Sequence, residues 1–242
     1  MNEKIKTFLP IIQKHDKLVF LSPYIMQEFQ EWFKKLPLYN NKIYYIYNPL
    51  NDSPDWDVEQ INNKNNTLLF VGRIAEDHKR LTYILKIWNL IYKKKPDWKL
   101  QIVGTGPDLK NIQDLASRLA LKNIEFCGYQ KPDSYYKKAK LFIMTSHHEG
   151  FGMTLLEAQQ YGVVPVVMNS YSSLHDIILN EFNGIITPNN DIESFAKRLI
   201  ELMNNEEKRI YMAKNGLETC KRFQVSKVVD NWELLFSELS NS

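Results

Sequence analysis

From Thr67 to Thr187 the chain alternates short apolar runs with stretches of helical spacing, and this alternation limits the possible folds more than any single motif. The runs fall at Leu68–Val71, Leu100–Val103, Ile124–Cys127, Leu141–Thr145, Val164–Val167 and Gly184–Thr187. Helical patterns separate them near 80–94, 107–120, 133–139 and 153–161, with a shorter one near 173–179. Strands joined through helices pair in parallel with right-handed crossovers, so the expected class is α/β with a doubly wound parallel sheet. The runs are apolar almost throughout, as a sheet covered on both faces requires. Helices are also predicted over 191–204, 206–222 and 226–239.

Ahead of this region, Leu18–Leu21 and Ile43–Ile46 read as strands around a helix from about 23 to 35, closed by the turn former Asn48-Pro49. Residues 51–66 are rich in Asn, Asp and Pro and read as a linker. The expected organisation is therefore 1–50, a linker at 51–66, and a domain at 67–242. With 242 residues and 44% hydrophobic content, the chain can bury one large core or one core plus part of another. A formal charge of +3 argues against a dedicated nucleic-acid binder. Two cysteines, Cys127 and Cys220, suggest neither a disulfide framework nor a zinc site and fit a reducing cytoplasm. No apolar run reaches membrane-spanning length and no signal-peptide core is present, so a cytoplasmic protein is expected, with peripheral contact at the inner membrane face left open.

Ligands of open parallel sheets bind beyond the carboxyl ends of the strands. That rule selects the turns Gly72-Arg73, Gly104-Thr105-Gly106-Pro107, Gly128-Tyr129-Gln130 and Ser146–Gly152. In Phe70-Val71-Gly72-Arg73, followed by Lys79-Arg80, the cations either reach a pyrophosphate or are solvated. The Gly104 turn either serves a ligand or is a proline-started helix entrance. In the last turn Gly150, Phe151 and Gly152 lead into Met153, Thr154 and Leu155, where glycine and free helix N–H groups suit an anion. Glu149 stands at its mouth. Glu157 lies a turn into the helix among apolar neighbours, where a ribose diol would satisfy its two oxygens.

Glu149-x7-Glu157 with Gly150-Phe151-Gly152 between resembles the E-x7-E motif of the retaining glycosyltransferases of family 4, which have a GT-B fold. The resemblance covers 67–242 well and 17–50 moderately. It implies the C-terminal, Rossmann-like donor domain of such an enzyme, using a UDP- or GDP-sugar as substrate with no metal or other cofactor. It further implies that Arg73 and Lys79 contact the donor diphosphate and Glu149 the transferred sugar, so that Glu149, Arg73 and Lys79 form the catalytic set. Glu157 would hold the ribose, the backbone of 151–155 the diphosphate and sugar, and Gly128-Tyr129-Gln130 the base. Gly72 and Gly104 complete the donor site. The family often has glycine after the lysine, where this chain has Arg80, which leaves Lys79 and Arg80 as competing contacts. Ser172-Ser173 and Asp176 replace the family's usual glycines and glutamate, so no role carries to Asp176.

The resemblance also implies that most of the acceptor domain, the expected site for a glycan or lipid-linked acceptor, is absent. The chain is then expected to bind donor but transfer poorly alone, and to self-associate through an apolar interdomain face that includes Trp232, Leu235 and Phe236. Surface polysaccharide synthesis is the expected setting. A non-catalytic nucleotide-sugar-binding module is the competing class, followed by a GT-B epimerase or phosphorylase. Asp55-Trp56-Asp57 and His147-His148 are not read as metal sites, and Lys93-Lys94-Lys95 is read as a solvated helix end.

Overall fold

The computed structural model describes residues 3–32, 41–51 and 58–240, so Asp55-Trp56-Asp57 and the end of the predicted 23–35 helix lie outside the described residues. Among the described residues, eight strands form two sheets: β1 (Leu18–Phe20), β2 (Ile43–Tyr45), β3 (Asn65–Val71), β4 (Lys99–Val103), β5 (Ile124–Gly128), β6 (Ala139–Met144), β7 (Val164–Met168) and β8 (Ile185–Thr187). The first two pair in parallel as a small sheet, and the other six form a parallel sheet in the order β5-β4-β3-β6-β7-β8.

Side-chain alternation assigns the two faces of the large sheet. Leu68, Phe70, Leu100, Ile102, Leu141 and Ile143 enter a core with the Leu81–Ile91 and Ile192–Asn204 helices. Leu69, Val103, Phe142 and Met144 enter a second core with the Met153–Gln159 helix, Leu174 and Phe223. Both faces are covered, which is why the strands read as continuous apolar runs.

Several boundaries differ from expectation for local reasons. The helix predicted over 80–94 is observed as Leu81–Ile91, and a short Glu76–Lys79 helix that was not predicted precedes it, the two separated where Arg80 takes a left-handed backbone (φ 49°, ψ 51°). The stretch 51–66 is not open throughout: Val58–Asn62 is helical, Ile61 is buried, and β3 starts at Asn65. The Glu3–Lys14 helix was not read from the sequence, where Pro10 interrupts its pattern.

The Val225–Ser240 helix packs on the first small sheet, burying Val228 and Leu235 against Ile46, while Tyr44 donates to Glu238 at 2.9 Å. Leu235 is therefore core, a correction to its expected place on an exposed apolar face. Trp232, Leu234 and Phe236 remain outside, with Trp232 and Phe236 stacked at 5.6 Å. No described helix is long and apolar enough to cross a membrane.

Candidate functional site

The chain runs outward from β3 to β5, then returns to the other side of β3 as β6. The loops leaving β3 and β6 therefore diverge, which opens a crevice at their carboxyl ends. They are tied to one another at the base: His147 N donates to His78 O at 2.7 Å, and Thr145 Oγ1 reaches Lys79 O and Arg80 O, each at 3.0 Å. Above these ties is a cleft of about 480 Å³ lined by Arg73, His78, Lys79, His148, Glu149 and Gly150.

Within it Lys79 Nζ lies 2.5 Å from Glu149 Oε1, with only 19% and 12% of the two side chains exposed. Arg73 is exposed on the wall and makes no ion pair among the described residues. Arg80 points elsewhere. Its guanidinium donates to Thr145 O (2.6 Å), Ser146 O (3.0 Å), Asn189 Oδ1 (3.0 Å) and Asn190 Oδ1 (2.8 Å), and burial lowers its pKa. The left-handed backbone at Arg80 is one that glycine adopts without steric cost, which gives a physical reason for the related pattern's glycine at this place. Of two adjacent cations, one faces the cleft and the other clamps the loops beneath it.

A second cleft of about 570 Å³ lies beyond the Gly150–Met153 turn, with Pro49, Leu50, Asp133, Tyr136, Met153 and Glu157 in its lining. Glu157 Oε2 accepts from the Tyr136 hydroxyl at 2.9 Å. Burial raises the Glu157 pKa, and this hydrogen bond works against the rise. The two glutamates thus flank one turn, each in its own cleft.

The remaining expected site residues lie on the same rim, and apart from Met153 they line neither cleft. Gly104 has a packing role: a Cβ there would stand 1.9 Å from Gly72 O, while Gly72 N bonds Val103 O and Ile74 N bonds Thr105 O. The Gly104 turn therefore supports the loop that carries Arg73. Gly152 (φ 102°) is crowded by the Tyr171 hydroxyl, 2.8 Å from where a Cβ would stand, whereas Gly150 has no atom within 4 Å. Phe151 and Leu155 are buried in the core, and Leu155 N bonds Gly152 O at 2.9 Å. Met153 and Thr154 follow Gly152 at the helix start, where the first N–H groups have no acceptor within the helix. Gly128 ends β5 at the sheet margin and Tyr129 and Gln130 follow it, with Tyr129 83% exposed and Pro132 and Asp133 lining the second cleft.

Sequence reading missed His78, Asp133 and Tyr136 as lining residues. His78 carried a weak signal, one residue from Lys79. Tyr136 is one of two adjacent tyrosines in a short helix, and nothing local marks a side chain that meets a glutamate 21 positions away.

A family model described as glycosyl transferases group 1 matches residues 53–219, and the chain belongs to that family. An uncharacterised glycosyltransferase of Haemophilus influenzae is 30% identical over 220 residues, covering 90% of this chain and 60% of the relative. A poly(glycerol-phosphate) alpha-glucosyltransferase of Bacillus subtilis is 26% identical over 89% of this chain and 32% of its own length. Among solved structures, the pneumococcal O-GlcNAc transferase GtfA with UDP and GlcNAc superposes with a TM-score of 0.83 at 19% identity, over all of this chain and 48% of that one. The fold is the GT-B glycosyltransferase type. The chain spans 60% or less of the length of these three proteins.

Proposed function

We propose that this chain is the donor-binding half of a retaining glycosyltransferase that moves a sugar from a nucleoside-diphosphate donor to a hydroxyl of a glycan or lipid-linked acceptor. The observation that carries the reading is the cleft between β3 and β6, where Arg73, Lys79 and Glu149 converge. A diphosphate there meets two cations, Arg73 able to bind it bidentately and Lys79 as a point charge. Phosphate competes with Glu149 for Lys79, which frees the Glu149 carboxylate to accept from sugar hydroxyls. As the sugar–phosphate bond breaks, negative charge grows on the leaving diphosphate, and fixed cations stabilise that charge most strongly. Arg73 and Lys79 supply the charge in place of a divalent cation. In this reading Glu157 takes the ribose in the neighbouring cleft, and the nucleotide crosses the Gly150–Met153 turn.

The UDP bound to the pneumococcal neighbour supports a UDP-sugar donor, and the alpha-glucosyltransferase relative supports retention and an α-linked product. Surface polysaccharide or glycan synthesis is the proposed setting. Calorimetry of the chain against UDP, GDP and ADP, then their sugars, tests the reading. One nucleotide should bind, and Lys79→Ala should weaken it. If none binds at millimolar concentration while circular dichroism reports a folded chain, the reading is wrong.

A further inference from the structure

We propose that Tyr136 is a positioning residue for Glu157: its hydroxyl engages one carboxylate oxygen and so presents the other to the diol of a nucleoside ribose. The inference rests on the donor reading above. Tyr136 is 1% exposed, and its hydroxyl lies 2.9 Å from Glu157 Oε2. Its ring is stacked on Tyr161 (5.8 Å, 14°) and tilted against Phe142 (6.2 Å). Tyr161 is held in turn, donating to Asp133 Oδ1 at 2.8 Å. From behind, the buried Lys64 ammonium donates to Tyr136 O (2.7 Å) and Lys137 O (3.2 Å), which fixes the backbone under the ring. A tyrosine held at ring and backbone can aim its O–H in few directions.

Glu157 is the flexible partner. A glutamate on a helix has three side-chain torsions, and its ionised carboxylate offers about four acceptor positions over two oxygens. The Tyr136 hydroxyl selects one rotamer and occupies one acceptor position. Asp133, also on the cleft, adds repulsion that keeps the carboxylate from swinging toward it. The result is an acceptor oriented before the ligand arrives. Such preorganisation raises affinity by reducing what must be ordered on binding. The selectivity it predicts is for the sugar hydroxyls of the nucleoside, independent of the base.

The test is calorimetry on the whole chain with UDP and with 2′,3′-dideoxy-UDP, or the guanine pair if GDP is the nucleotide that binds. Wild type, Tyr136→Phe, Glu157→Gln and the double variant are compared. Tyr136→Phe removes one oxygen and leaves the ring in place, and circular dichroism checks its fold. It should weaken UDP about three- to tenfold while leaving the dideoxy compound within about twofold. On a Glu157→Gln background the same change should have little further effect. An equal loss for both ligands would reduce Tyr136 to structural support and overturn the proposal, as would no loss for either. If Glu157→Gln itself does not discriminate between the two ligands, the ribose assignment of Glu157 falls and the proposal with it. If Glu157→Gln discriminates and Tyr136→Phe does not, only the positioning role is lost.

Discussion

Lys79 and Glu149 lie 70 residues apart in sequence and meet at 2.5 Å across the gap between β3 and β6. The contact joins the first half of the sheet to the second at the one place where strand order reverses. Around it, adjacent residues of the same charge have separate tasks.

Lys79→Ala and Arg80→Ala should therefore fail in different assays. Lys79→Ala removes a cleft cation and should weaken nucleoside-diphosphate binding about tenfold or more, the worth of a hydrogen bond between charged groups. Arg80→Ala removes donors to two backbone carbonyls and two asparagines and should cost about 2 kcal/mol of stability in urea denaturation. Arg80→Gly should be the more stable of the two Arg80 variants by about 1 kcal/mol, because glycine accepts the left-handed backbone. Equal effects of Lys79→Ala and Arg80→Ala on affinity would refute the division.

The glycines of the rim should also separate. Gly104→Ala places a methyl 1.9 Å from a backbone oxygen at a φ of 141°, and should cost about 3 kcal/mol or more and displace Arg73. Gly150→Ala meets no atom within 4 Å and should change stability by less than about 0.5 kcal/mol. Its effect should appear in ligand affinity, since Gly150 lines the first cleft. Thermal melts paired with calorimetry distinguish these outcomes.

Burial raises the Glu157 pKa above its unfolded value of about 4.3. Between those two values the folded state binds more protons than the unfolded state, so this group's contribution to stability falls as pH rises through the window. Glu157→Gln does not titrate. Its stability relative to wild type should improve from pH 4 upward and level off above the folded pKa, as read by denaturation at a series of pH values. A difference that stays flat, or shrinks, would contradict the burial.

Lys64 gives the opposite sign. Desolvation lowers its pKa to about 7, against about 10.4 in the unfolded chain. Over that window the unfolded state binds more protons, so stability rises with pH. Lys64→Met should lack this rise, and the difference between the variant and wild type should change across pH 7–10 and remain constant below it.

Asp176 joins the first small sheet to the larger domain. It is buried and accepts from both Ser22 Oγ and the Tyr47 hydroxyl, while Ser22 also accepts from Tyr24 N and Ile25 N at the start of the Pro23–Trp32 helix. Ser22→Ala and Asp176→Ala should each cost about 1–3 kcal/mol, and the double variant should cost less than their sum. Strict additivity in the denaturation cycle would mean that the two side chains do not act together.

The alternation of apolar runs with helical patterns made the parallel sheet legible, because burial on both faces writes itself into each strand locally. Turn positions were legible for the same reason: Gly72, Gly104 and Glu149 stand where strands end. Leu235 and the Val58–Asn62 helix were less so, since burial on a distant surface leaves no local period. By itself, then, the sequence determined the type of sheet, the rim of loops that carries the candidate site and the residues available there. Tertiary structure alone decided which of Lys79 and Arg80 faces the cleft, that Gly104 serves packing, and that Tyr136 reaches Glu157. Those outcomes depend on strand order, one left-handed residue and contacts between segments far apart in the chain, none of which a local pattern encodes.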